Sequence, residues 1–427
     1  MTAAAHGLDD GDRALLDGAR GPAMQLAMRL VLRAAEIMGT ARLVPVTFAH
    51  IDSCFYVGQA HVDFAEYLLA NGATLAVPAW TNNGVVSLHD AGLRPEADDP
   101  DRVAGARRLM EIYRDLGCRP VWTCAPYQLP GGPAFADHIV AAESNAVTYY
   151  NSVVGARTNK YGDYLDVACA LVGKAPYAGF HLDAARRGDI LFDVTDIPDR
   201  LRGEGIFHHL LGHHVGRRAG RQVPVIAGLS PEATRDDLKA VSAAVAASGG
   251  VEMWHGLGLT PEARDADEAF GGRAPAERHR VSLDDLRRAM AELSTGRDGP
   301  LEMVALGTPH FSPSEIAALV SLLDGRRVKP GLALYVSTSR FVRDLVAGRG
   351  DIAALEAAGA TVVVDTCTYF SPAVRGARGR VMTNAAKWAY YAPGQLGVET
   401  VFGSLRECVE SAVAGEVRRD PALWPGR

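Results

Sequence analysis

Residues 301–340 read LEMVALGTPHFSPSEIAALVSLLDGRRVKPGLALYVSTSR. Two short apolar runs, Leu301 to Leu306 and Leu332 to Val336, enclose a stretch of helical periodicity. That stretch opens on Ser312-Pro313-Ser314-Glu315, a serine cap, a first-turn proline and a glutamate at the capping-box position. Strand, helix, strand in this spacing is a crossover unit with parallel strands. The pattern continues outward, with strands read at Val223 to Ala227, Val251 to Trp254 and Thr361 to Val364 and helix starts at Ser230-Pro231-Glu232 and Thr260-Pro261-Glu262. The first half yields strands near Arg42 to Phe48, Ala73 to Val77 and Pro120 to Thr123, with helices near Val62 to Ala70 and Arg102 to Leu116. The fold class is therefore α/β, parallel sheets covered by helices in two or more domains. The expected division is an α/β domain over 1–188 and a doubly wound α/β domain over 189–380. A C-terminal segment, 381–427, is expected to return to the first domain. The charged stretches Pro95 to Asp101 and Glu268 to Arg280 read as surface insertions.

A chain of 427 residues, 48% hydrophobic, can bury several cores. Its net charge of -6 comes from 44 basic and 50 acidic residues mixed along the chain, which excludes a basic stripe for nucleic acid and a polybasic membrane patch. Met1 to Asp12 shows no signal-peptide pattern, so a cytoplasmic location is expected. Six cysteines are too few for a disulfide framework at this length.

Three of them, Cys54, Cys124 and Cys367, follow the carboxyl ends of predicted strands. Ligands bind at that edge of an open α/β sheet, so three thiolates there can hold one iron or an iron-sulfur cluster and leave a position open for substrate. Simple burial is the competing reading for each thiol. Cys169 and Cys408 fall in helical patterns, and Cys118 precedes a strand, so these three read as buried small hydrophobes. No CxxC occurs, so the ligands must converge through folding.

Residues 142–173, AESNAVTYYNSVVGARTNKYGDYLDVACALVG, are too polar and aromatic at their start for an ordinary core helix. Glu143, Ser144, Asn145, Asn151, Arg157, Thr158 and Asn159 offer groups suited to a carboxylate and a hydroxyl, and a guanidinium grips a carboxylate bidentately. A solvated helix face with caps explains the same residues equally well.

This segment resembles the most recognisable motif of the aconitase X family, together with HIDSCFYVG from His50, TCAPY from Thr123 and MTNAAKWAYYAPG from Met382. The likeness runs on through VPVIAGL from Val223, LGTPHFS from Leu306, STSR from Ser337 and VVVDTC from Val362, in family order along nearly the whole chain. It implies an aconitase-like fold and a hydro-lyase that dehydrates a small hydroxy acid, cis-3-hydroxy-L-proline first and mevalonate 5-phosphate as the alternative. It also implies an iron centre held by cysteines, and a separate small subunit that closes over the site and supplies a serine base. Two departures stand out: Gly18-Ala19-Arg20-Gly21 in place of Gly-Glu-x-Gly, and Ala79-Trp80-Thr81-Asn82-Asn83 in place of a Thr-Thr-Leu-Asn type. Both put the particular substrate in doubt.

Dehydration needs a Lewis acid for the leaving oxygen, a base for the proton, and clamps on the carboxylate. The candidates are Cys54, Cys124 and Cys367 for metal, and Ser144, Asn145, Arg157, Thr158, Arg340 and Asn384 for substrate. Lys387, His310 and Ser339 complete the set as groups for charge neutralisation, proton shuttling and anion holding, although helix capping accounts for Ser339 as readily. Asp52 and Asp365, two residues before Cys54 and Cys367, can orient ligands from behind. Three other readings compete. FHHLLGHH at 207–214 suggests a zinc hydrolase but lacks the HExxH glutamate; a dinucleotide enzyme lacks GxGxxG; and a family member without chemistry would serve as a scaffold.

Overall fold

Met303–Phe311 is buried at every position, as a central parallel strand must be when helices cover both faces of its sheet. It pairs with Ala333–Thr338 on one side and Arg380–Thr383 on the other. Ala360–Val363 and Glu399–Phe402 complete a five-stranded, wholly parallel sheet. The chain is seen here in a computed structural model that describes residues 7–90, 93, 99–370 and 379–424. The crossover read from 301–340 is present: Ser312 caps helix Pro313–Leu323 in a full capping box with Glu315.

Two further parallel sheets precede this one. Ala79–Thr81, Ala49–Ile51 and Val140–Ala141 form a three-stranded sheet. His255–Gly256, Pro224–Ala227, Ile190–Asp193 and Glu277–Arg280 form a four-stranded sheet. A small antiparallel pair joins Leu43–Pro45 to Lys174–Pro176. The α/β class with parallel sheets under helices is thus as expected. Among the described residues no helix is long and apolar enough to cross a membrane.

Several elements differ from the sequence reading for visible reasons. Val251 to Trp254 is not a strand, because side chains of the polar segment take its backbone groups. Thr148 Oγ1 donates to Val251 O at 2.8 Å, Asn151 Nδ2 to Glu252 O at 3.0 Å, and Trp254 N donates to Ser152 Oγ at 2.9 Å. Ala73 to Val77 is not a strand either; Ala76 N donates to Ala170 O of helix Leu165–Val172. The helices expected at Ser230 and Thr260 begin later, at Arg235 behind a Thr234–Asp237 capping box and at Ala266 behind Asp265. Glu268 to Arg280 is no insertion: Glu277–Arg280 is an edge strand paired only with Ile190–Asp193, and its exposed side chains hide the strand pattern. Of the other charged stretch, residues 95–98 lie outside the described residues, and Asp99 caps helix Pro100–Asp115.

The histidine-rich helix Gly205–Ala219 packs along Arg235–Gly249. Its Gly212 makes that approach possible, since a Cβ there would lie 2.8 Å from Val241 O. His208, His213 and His214 are buried and face Asp237, Glu292 and Asp285. They do not gather as metal ligands.

Candidate active site

The turn after Val121 carries Cys124, and the turn after Val364 carries Cys367. Both turns contain a left-handed residue that is not glycine, Trp122 at φ 44° and Asp365 at φ 70°, a conformation that costs energy and clusters at functional sites. Asp365 is fixed there by the Arg340 guanidinium, whose Nε and Nη2 donate at 2.6 Å each, and by the Leu88 and His89 N–H groups. Cys124 Sγ and Cys367 Sγ are 3.9 Å apart. His310 lies in the last part of strand Met303–Phe311, beyond a break in register after Leu306. Its Nε2 is 3.7 Å from Cys367 Sγ, and its backbone N–H donates to Cys124 Sγ at 3.4 Å. These three are buried and converge within 4.8 Å, the one such group among the described residues.

Burial works to raise the Cys124 thiol, but donation from Cys367, with His310 and Lys387 nearby, draws it down to about 6. The same contact pushes Cys367 well up, with burial adding to the effect. Of the two thiols, Cys124 is therefore the one that ionises more readily. His310 Nδ1 sits 2.9 Å from Thr123 Oγ1. Its Nε2 is 3.1 Å from the Thr366 carbonyl, which can only accept, so Nε2–H donates there and Nδ1 accepts from the Thr123 hydroxyl; to ligate a metal the ring would give up the Thr366 bond and donate from Nδ1 to Thr123 instead. Two sulfurs and an imidazole are a soft donor set suited to iron, zinc or an iron-sulfur centre, and three protein ligands leave a position open.

A cleft of about 230 Å³ lies beside this group. It is lined by Asp52, Phe55, Asn82, Asn83, Ala142, Glu143, Ser144, Lys160, Tyr369, Phe370, Lys387, Tyr391 and Gln395. At its floor Lys387 Nζ forms an ion pair with Glu143 Oε1, both almost wholly buried. Burial opposes both charges, yet each sustains the other. Lys387 is held well above its ordinary value, and Glu143, which also accepts from Ala146 N at 2.6 Å, is held below its own. Both charges bear on the Cys124 and Cys367 thiols. Ser144 Oγ donates to Glu143 at 3.3 Å. Asn145 is fully buried and donates from Nδ2 to Cys124 O at 2.9 Å, so it holds the cysteine turn and does not face the cleft. From the other side His50 Nε2 meets Thr123 O at 3.0 Å.

The structure thus gathers Cys124, Cys367, His310, Lys387, Ser144 and Asn145. It keeps six candidates away. Cys54 is buried apart from the other two thiols, donating to Ile51 O and Asn82 O. Arg157 pairs with Asp183 at 2.6 Å and donates to His181 O at 3.2 Å, leaving no free fork for a substrate. Thr158 is buried, donating to Asn159 O and accepting from Ala141 N. Ser339 caps helix Arg340–Ala347 through Val342 N. Arg340 is spent on Asp365. Asn384 lines a different cavity, with His209, Glu315 and Ser404. Of the cleft residues, Lys160 and Tyr391 carry no mark in the sequence, Asn82 stands out there only as part of the Ala79–Asn83 departure, and Glu143 reads as a substrate group with nothing to foretell its ion pair to Lys387.

Because Asp183 is 81% exposed, the Arg157 pair is worth only about 1 kcal/mol or less. Arg157→Lys is accordingly expected to leave KM within about twofold and to cost little stability. A sharp rise in KM in steady-state kinetics would return Arg157 to the substrate.

Three family models match in order: aconitase X first domain over 6–184, second domain over 188–291 and third domain over 301–414. The chain is 43% identical to a cis-3-hydroxy-L-proline dehydratase of Pseudomonas aeruginosa, across 98% of this chain and 71% of that one. The chain belongs to the aconitase X family. It is also 32% identical to the phosphomevalonate dehydratase large subunit of Methanothermobacter thermautotrophicus, across 92% of this chain and 96% of that subunit. The crystal structure of aconitase X from Thermococcus kodakaraensis in its holo-form superposes with a TM-score of 0.82 at 28% identity, covering 95% of this chain and 99% of that one. Aconitase X relatives are thus named as dehydratases of two different substrates, and the cleft has to distinguish between them.

Proposed function

We propose that the chain is a hydro-lyase that dehydrates cis-3-hydroxy-L-proline at an iron centre, mononuclear or iron-sulfur, held by Cys124, Cys367 and His310. The observation that carries this is the convergence of two thiols and an imidazole beside a charged cleft. A metal bound there supplies Lewis acidity to the leaving hydroxyl. The charge balance of the cleft favours the imino acid over a phosphorylated acid. Its lining carboxylates Asp52 and Glu143 offset its lysines Lys160 and Lys387, which suits a zwitterion better than a carboxylate and a phosphate together.

The chain's own residues bind and polarise. Lys387, held protonated by Glu143, serves as a charge for the substrate carboxylate while the adjacent carbon loses its proton. A lysine in that state does not accept the proton. Ser339 is committed to its helix and His310 to the thiol group. The base is therefore proposed to come from a small subunit. In support, the relatives acting on phosphomevalonate are large subunits, and this chain spans 96% of one.

The test is turnover of cis-3-hydroxy-L-proline by protein purified without oxygen and co-expressed with its small subunit. Loss of water between C2 and C3 gives an enamine, and its cyclic imine tautomer is trapped by borohydride. Turnover of mevalonate 5-phosphate instead would replace the substrate, and turnover of neither sinks the dehydratase reading.

A further inference from the structure

One cleft wall carries an acceptor with nothing to accept. Asn82 is 3% exposed, and its Nδ2 donates to Asp52 Oδ1. That bond fixes the orientation of the amide, because only the NH2 side can donate to a carboxylate. The carbonyl Oδ1 then lies buried on the cleft wall with no hydrogen-bond partner. A buried acceptor left unsatisfied is costly, and the cost is relieved when a donor arrives.

No cation among the described residues pairs with Asp52 beside it. Among the described residues, the other carboxylates that bear on it each have a partner: Asp163 has His61 at 3.6 Å, Glu143 has Lys387, and Asp166 has the Ser53 hydroxyl and backbone N–H. Asp52 has only the neutral Asn82 amide. Burial and the neighbouring Asp163 charge push its carboxyl up to about 7, the behaviour of an anion whose counter-ion has yet to come.

We propose that Asp52 and Asn82 Oδ1 together form the seat for the substrate's ammonium group, one charged and one neutral acceptor for its N–H donors. A secondary ammonium carries one positive charge and two N–H bonds, which matches this pair; a phosphate or a second carboxylate would be repelled. The inference rests on the dehydratase reading and adds how the amine is recognised. It also gives a role to Asn82 on the cleft wall.

The test is calorimetric binding to the holoenzyme of L-proline, which lacks the leaving hydroxyl, and of cyclopentanecarboxylate, in which carbon replaces the ammonium. Wild type is expected to prefer L-proline by about 10- to 100-fold, the range for a charge-assisted hydrogen bond. Asp52→Asn is expected to erase that preference by weakening L-proline while changing cyclopentanecarboxylate less than about threefold, and Asn82→Ala to reduce it in part. Asn82→Ala also carries the test if Asp52→Asn does not fold. Equal weakening of both ligands, no weakening, or a wild type that does not prefer L-proline overturns the amine seat. Turnover of cis-3-hydroxy-L-proline, measured alongside, separates the two claims: turnover without preference defeats only this inference, whereas absence of turnover defeats the dehydratase reading and the inference with it.

Discussion

Cys367→Ala is expected to empty the metal centre and to lower turnover by about a thousandfold or more, with the protein still folded. The rate estimate follows from the several kcal/mol that a Lewis acid contributes to a leaving group, at about 1.4 kcal/mol per tenfold in rate. The fold should survive because the change removes a single sulfur from a buried site, a loss of about 1 to 2 kcal/mol. Removing Cys367 takes away one sulfur ligand and also the donor that draws the Cys124 thiol down, so the remaining sulfur gives up its proton to a metal less readily. Metal analysis and a thermal melt on the same preparation check both halves. Full metal occupancy in this variant would end the ligand assignment.

Lys387→Met should do comparable damage by another route. It strands Glu143 as a buried carboxylate, and breaking a buried pair from one side costs about 3 to 5 kcal/mol. The double variant Lys387→Met, Glu143→Gln removes both charges, so it should recover much of that stability while turnover stays lost. This divergence separates a structural ion pair from a functional one. Recovery of turnover along with stability would mean that the pair only holds the fold, and wild-type behaviour of the single variant would mean that it does neither. Denaturant midpoints and kcat/KM are the two readouts.

The reach of the sequence shows in particular residues. Cys124 and Cys367 stood out because each comes shortly after an apolar run, but only Cys367 follows a strand, Ala360–Val363; Pro120 to Thr123 forms none. His310 was legible as a residue of interest but not as a member of the thiol group. Gly307-Thr308-Pro309 looks like the end of a strand, whereas the strand resumes beyond a register break and carries His310 to the thiols. Arg157 was misplaced because residue type says what a guanidinium can grip and not what it already grips; Asp183 and His181 O hold it. The polarity of 142–159 was read as substrate chemistry, yet much of it serves the joint with 251–254. The partners of Lys387 and Cys124 are more than 240 residues away in sequence. No spacing rule reaches that far.

The most direct measurement is iron and acid-labile sulfide, with an ultraviolet-visible spectrum, on protein purified without oxygen, beside the Cys124→Ala and His310→Ala variants. Stoichiometric iron is expected in the wild type, and its loss in both variants. Wild-type protein that turns over substrate without iron, or variants that keep it, would rule out an iron centre held by these residues.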